Sequence, residues 1–202
     1  MEHPPQVKTL KAAVVDRREA MQLLMGYNSF NGYVWNKLFD LQLIRENDIR
    51  FHADYPACED TMFVGSYLYH CSRVCVTEEC LYCYRQVSGG ANRGRYSGRK
   101  AYDPKWMSVF EMTEYMADLY KDDAVTAACR LHEVREAGIV LRSMEAAGYH
   151  GADHDRIKGI LRRGAGLFFR DENSGRSQKL SVLLSCISPK LELAVWKLRN
   201  RK

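Results

Sequence analysis

From Asp103-Pro104 to the C-terminus, apolar residues recur at three- and four-residue spacing, which commits that half of the chain to packed helices. Trp106, Val109, Phe110, Thr113, Met116 and Tyr120 share one helical face. Asp122-Asp123 is placed to cap the next helix, which runs toward Gly148 with Gly138 as its weak point. Ile157, Ile160, Leu161, Gly164, Leu167 and Phe168 form a further stripe behind Asp153-His154-Asp155, a D-x-D whose position at a helix start favours capping over metal binding. Leu180, Leu183, Leu184 and Ile187 make another, and Ser188-Pro189 reads as the N-cap and first residue of a last helix carrying Leu191, Ala194, Val195 and Leu198.

The first half is mixed. Asp16-Arg17-Arg18-Glu19 has capping-box spacing ahead of a helix with Ala20, Leu23, Leu24 and Tyr27 on its apolar face. A second helical segment is expected over Val34–Ile44, then a short extended run at Ile49-Arg50-Phe51. Tyr55-Pro56-Ala57-Cys58-Glu59-Asp60 opens another helix, with Phe63, Tyr67, His70 and Cys71 on one face. Arg73–Thr77 and Leu81–Arg85 are rich in β-branched and aromatic residues and read as strands. Residues 88–100 form a glycine-rich basic loop without an acid, either a solvated loop or a lid whose arginines meet phosphate oxygens. It follows no strand–loop–helix nucleotide fingerprint and no nucleic-acid reader motif accompanies it, so nucleic acid is not the expected partner.

With 202 residues and 46% hydrophobic content the composition is that of a globular chain. No uncharged apolar run reaches the length of about 18 residues needed to cross a bilayer, and Met1-Glu2-His3-Pro4-Pro5 has no signal-peptide character, so the expected location is cytoplasmic. The odd number of cysteines, seven, argues for reduced thiols. Cys80-x2-Cys83 has a zinc-like spacing, but Val74-Cys75-Val76 and Leu81-Tyr82-Cys83-Tyr84 read as buried strands in which a thiol is a small apolar group. The net charge of +5 gathers after Arg85 and at the C-terminus. There Lys190, Lys197 and Arg199 beside an apolar face suit either packing on the preceding helices or peripheral contact with the inner, cytoplasmic face of an anionic membrane, Trp196 at the interface.

Taken alone, Glu59 and Asp60 are acids at a helix N-terminus, where the macrodipole favours negative charge. Their neighbours in order, Trp35-Asn36-Lys37-Leu38-Phe39, Ile49-Arg50-Phe51, Glu59-Asp60-Thr61-Met62-Phe63 and Leu81-Tyr82-Cys83-Tyr84-Arg85, resemble the second half of bacterial family 2 glycosyltransferases of the GT-A fold. Those enzymes assemble surface and capsular polysaccharides from nucleotide sugars. The resemblance covers roughly Val14 to Arg85, and more loosely the helical tail at Ile187-Ser188-Pro189-Lys190. It implies an α/β fold, a partial GT-A (Rossmann-like) unit over residues 1–102, followed by a helical region over 103–202 with a basic amphipathic end. It also implies Asp60 as catalytic base on the acceptor hydroxyl and Glu59 as orienting or contacting the acceptor. Trp35, Asn36 and Lys37 are then expected near the acceptor pocket, and Tyr84 and Arg85 toward the donor diphosphate.

The family's nucleotide-binding half, with the D-x-D that holds Mg²⁺ or Mn²⁺, does not precede Asp60, because a parallel α/β unit needs many more residues than stand there. The expected metal therefore lacks its D-x-D ligands, and no metal-binding residue is assigned. The chain is expected to be the acceptor-side portion of a glycosyltransferase, incomplete on its own. Its implied partners are a nucleotide-sugar, a glycan acceptor, and a separate donor-binding half or a second copy of itself. A non-catalytic remnant that binds acceptor, membrane or a partner protein is the alternative.

Overall fold

The structure is a computed structural model, and it describes residues 12–26, 30–77, 79, 81–85 and 102–200. Eight α-helices dominate these residues, with one two-stranded antiparallel sheet. Strand β1 (Ala13–Val15) pairs with β2 (Val74–Val76), Val14 opposite Cys75. The expected α/β, Rossmann-like GT-A sheet is thus corrected to a mostly helical fold: no parallel sheet is present among the described residues. The physical reason lies in strand length and partners. Both strands are three residues long and antiparallel, whereas a parallel sheet needs longer buried strands joined by helical crossovers. Leu81–Arg85 forms no strand either; it is exposed coil whose rings face another loop. Ile49-Arg50-Phe51 is also coil.

Helix α1 (Arg17–Met25) starts where Asp16 accepts the Glu19 amide at 2.8 Å, as its capping spacing requires, and buries Ala20, Met21, Leu24 and Met25. The helix expected over Val34–Ile44 is shorter and later. Helix α2 (Leu41–Glu46) begins only after Asp40, which caps the Gln42 amide. Upstream of it, the carbonyls of Phe30, Asn31 and Tyr33 are turned onto the Lys37 ammonium at 2.7–3.1 Å. Helix α3 (Glu59–His70) buries Met62, Phe63, Val64, Gly65 and Leu68; His70 is exposed and Cys71 lies just past the helix. Cys75 and Cys83, expected inside strands, are exposed, while Cys58 and Cys129 are the buried thiols. Burial pushes the Cys129 thiol up to about 12. The sequence segment 88–100 and Cys80 lie outside the described residues.

A 3₁₀ turn (Pro104–Met107), capped by Asp103, leads into α4 (Ser108–Tyr120). Helix α5 (Asp123–Ala147) runs 25 residues from its Asp122 cap to Gly148, whose left-handed φ of 66° ends it; Gly138 does not break it. Then come α6 (Ala152–Arg170), α7 (Arg176–Ile187) and α8 (Pro189–Arg199), the last capped by Ser188 with Pro189 first, as read. Asp153 and Asp155 sit in the first turn of α6, but its cap is Gly151, so neither acid does the capping expected of the D-x-D.

Two apolar clusters form the interior. One joins α1, α3, the outer face of α4 and the start of α5 through Met21, Leu24, Met62, Val64, Met112, Met116 and Cys129. The other joins Phe110, the later half of α5, and α6 and α7 through Val134, Leu141, Met144, Ile157, Leu161, Phe168 and Val182. Helices α4 and α5 serve both, so they fix how α3 faces the C-terminal helices. The stripes of α7 and α8 are only partly used: Leu180, Leu183, Ile187, Leu191 and Leu198 remain exposed. No helix of the described residues is long and apolar enough to cross a membrane.

Candidate active site

The N-terminus of α3 opens onto a cleft of about 800 Å³. Pro56 to Thr61 and Asn31 to Tyr33 form one wall; His132, Arg135, Glu136 and Arg142 of α5, with parts of α7 and α8, form the other. Glu59 and Asp60 both line it, Glu59 exposed and Asp60 half-buried. Their helix has no side-chain cap, since Cys58 occupies the cap position and turns its thiol to the Ser108 carbonyl at 3.4 Å. Unpaired amides at a helix start favour a carboxylate there.

Separated segments pack on α3, and a further one reaches the loop beside it. Phe39 sets its edge against Phe63 and Tyr67, with ring centroids 5.4 and 4.9 Å apart, and the Asp40 amide donates to the Tyr67 hydroxyl at 2.8 Å. Phe51 stacks on Phe63 at 4.4 Å and 9°. Trp35 is clasped by Tyr33, Tyr82 and Tyr84 at 4.8–5.2 Å. Gly32 packs so tightly on α3 that a Cβ there would lie 1.9 Å from Thr61 Oγ1 and 2.8 Å from Thr61 Cα. Only glycine lets the loop reach the acid pair this closely.

Lys37 ties the loop together. Its ammonium donates to the carbonyls of Phe30, Asn31 and Tyr33 and to Asn36 Oδ1 at 2.8 Å. Burial lowers its pKa from 10.5 to about 8, while the charge of Asp60 pulls it upward. The depressed value has a definite sign for stability. The unfolded chain keeps this proton up to about 10.5, so between pH 8 and 10.5 the unfolded state binds more protons and stability rises with pH. Below pH 8 the cost of burying the charge is fully present. Wild type is therefore expected to gain stability relative to Lys37→Met across pH 8 to 10.5 in urea unfolding; a difference that stays flat would refute the burial of this ammonium.

Of the residues singled out in the sequence, Glu59 and Asp60 face the cleft. Trp35, Asn36 and Lys37 lie behind them as the packed and hydrogen-bonded support of the loop, and they are not part of the cleft lining. Tyr84 holds Trp35, and Arg85 is exposed and outside the cleft. The sequence reading missed Lys105, His132, Arg135, Glu136 and Arg142. Those at 132, 135, 136 and 142 recur at three-, four- and seven-residue spacing along one side of α5, which was their signal. Arg135 donates to the Met25 carbonyl and His132 Nδ1 lies 3.3 Å from the same oxygen, so α5 holds the end of α1 beside the cleft.

The Mg²⁺ or Mn²⁺ that the resemblance implies is not matched by the residues at Asp60. Both ions want several oxygen ligands gathered at one point, and the cluster with metal-ligand geometry among the described residues is Glu145, His150 and His154 instead. No step is derived through such an ion. What the arrangement can do is present two carboxylates, Glu59 and Asp60, to a cleft whose other wall mixes the cations Arg135 and Arg142 with the acids Glu136 and Glu192. Comparison with protein-family models, curated proteins and solved structures finds no match.

Proposed function

We propose that this chain is the acceptor-side component of a glycosyltransferase, in which Asp60 removes the proton of a glycan hydroxyl as that oxygen attacks the anomeric carbon of a nucleotide-sugar with inversion. The observation that carries the reading is that the four segments whose order resembles family 2 glycosyltransferases are linked in space, Phe39 and Phe51 packing on Phe63 of α3 and Tyr82 and Tyr84 on Trp35. Nothing local to each segment demands that they meet. A carboxylate in general-base contact contributes about 10² to 10⁴ in rate. Lys105 and Arg135 line the cleft, and their positive charge can oppose the charge that develops on a leaving nucleoside diphosphate. Glu59 contacts or orients the acceptor; Trp35, Asn36 and Lys37 act through the loop they hold. Donor recognition is the task of a separate donor-binding half or a second copy.

The test is nucleotide-sugar turnover by this chain, alone and with a donor-binding partner, in wild type and Asp60→Asn. Acceptor binding without turnover in every combination favours the second reading, a non-catalytic acceptor-binding subunit. Turnover insensitive to Asp60→Asn removes the base assignment.

The exposed Leu180, Leu183, Ile187 and Leu191 lie beside Lys190, and this apolar and basic edge supports peripheral contact of α7–α8 with an anionic cytoplasmic membrane surface. Co-sedimentation with anionic vesicles is expected to fall when Leu183 and Leu191 are changed to Ser; unchanged sedimentation removes the membrane role.

A further inference from the structure

At the α5–α6 joint, away from the acid pair, three potential ligands converge. Glu145 stands just before the end of α5, the turn closed by Gly148 carries His150, and His154 lies in the first turn of α6. Their ligand atoms all lie within 4.8 Å of one another. His154 Nε2 is 2.8 Å from Glu145 Oε1, and His150 Nδ1 is 3.9 Å from the same oxygen. The two imidazole rings stand nearly perpendicular at 82°, so their nitrogens approach one point from different directions.

We propose that Glu145, His150 and His154 form a binding site for a first-row divalent transition cation, with zinc as the fitting ion. A tetrahedral zinc with nitrogen and oxygen ligands at about 2.0–2.2 Å sets neighbouring donors about 3.4 Å apart. The spacings here, 2.8 and 3.9 Å, straddle that value, and side-chain motions of about half an ångström reach it. The donor chemistry selects the class of ion: two imidazoles and one carboxylate suit zinc and its neighbours, whereas magnesium and calcium want oxygen.

The placement of Glu145 also favours a cation. Its side chain is only 4% exposed, and it sits at the negative end of a long helix, where a carboxylate is disfavoured. Its ion-pair partners among the described residues are the two imidazoles. A bound cation gives the buried carboxylate a counter-charge and would hold the end of α5, the turn and the start of α6 together. Asp155 Oδ1, 3.8 Å from His154 Nδ1, is positioned as the outer carboxylate that commonly orients a metal-bound histidine. The open side faces a cleft with Ser188, Lys158 and Lys190 on its rim, leaving a fourth position for water. The two lysines oppose a cation there, and the charges of Glu145 and Asp155 offset them, Lys158 itself lying 4.0 Å from Asp155.

The test uses the full chain, stripped with a chelator and titrated with Zn²⁺ by calorimetry and thermal unfolding, and with Co²⁺ by absorption. One zinc per chain, a raised Tm and the visible bands of four-coordinate cobalt without thiolate charge transfer are expected. His150 is half-exposed, so His150→Ala should unfold like the metal-free wild type while binding zinc at least about tenfold more weakly, since even outer partners of a ligand cost about 10- to 100-fold. Glu145→Gln keeps the shape of the His154 contact and removes the charged ligand, and it should lose binding as well. Absence of zinc binding by the wild type leaves an internal Glu–His hydrogen bond only and overturns the site. So does equal binding by both variants, or a thiolate-to-cobalt band that puts the metal on cysteines.

Discussion

Asp60→Asn is expected to lower sugar transfer by about 10²- to 10⁴-fold with little change in Tm. The asparagine has the same shape and keeps the side chain at the cleft, but its amide cannot take a hydroxyl proton at neutral pH. Structural cost should be small, because Asp60 is half-buried and the N-terminus of α3 has no side-chain cap hydrogen bond to lose. The kinetic pattern separates a base from a binding group. A base acts only as the hydroxyl is deprotonated, so kcat and kcat/KM should fall together while acceptor affinity is preserved. Glu59→Gln, on the exposed neighbour, should act mainly on acceptor KM. A large loss in Glu59→Gln with normal kcat in Asp60→Asn would exchange the two roles. The same measurement in Gly32→Ala gives an independent check: a Cβ at 2.8 Å from Thr61 Cα forces the loop off α3, so activity should drop although no reacting group is changed.

What could be read in advance divides along physical lines. Helix ends defined by short-range chemistry were legible: Asp16, Asp122 and Ser188 cap the helices that their spacing announced. Most of the stripes of α4 and α6 also bury as expected, with Val109, Phe110 and Met116 on one and Ile157, Leu161 and Phe168 on the other, whereas Leu167 is exposed. The strands were not legible, because a run such as Leu81-Tyr82-Cys83-Tyr84 has strand propensity wherever it stands, and only a neighbouring strand turns propensity into a sheet. Here its tyrosines stack on Trp35 instead. The Val34–Ile44 helix starts late as well, at Leu41 behind its Asp40 cap, while the Lys37 ammonium binds the carbonyls of the loop before it. At the candidate site, the acid pair could be singled out by motif order, but the opposing wall could not. His132, Arg135 and Arg142 come from a helix more than seventy residues downstream of Asp60, roughly counted, and the pairing of α5 with α1 and α3 is set by packing of both apolar clusters.

Glu192→Ala should destabilise the fold by about 3–5 kcal/mol, as expected when one partner of a buried ion pair is removed and the other charge is left behind. Glu192 and Arg142 have side chains only 4% and 12% exposed, with Arg142 Nε 2.9 Å from Glu192 Oε2. Ser181 donates its hydroxyl to Glu192 Oε1 at 2.6 Å, and the Arg142 guanidinium lies 5.2 Å from the centre of the Trp196 ring. One carboxylate therefore joins α5, α7 and α8 at the wall of the cleft. These two last helices leave Leu180, Leu183, Ile187, Leu191 and Leu198 exposed and bury few apolar groups of their own, so the polar network carries an unusual share of their attachment. Arg142→Met together with Glu192→Leu should be far milder than either single loss, because no uncompensated charge remains. Urea unfolding of the three variants decides the matter. A cost below about 1 kcal/mol for Glu192→Ala, the value of an exposed pair, would mean that water reaches the network and that α8 is not held by it. If the large cost is found, amide exchange should show α7 and α8 opening together before α5, which would make the cleft's far wall the least stable part of the site.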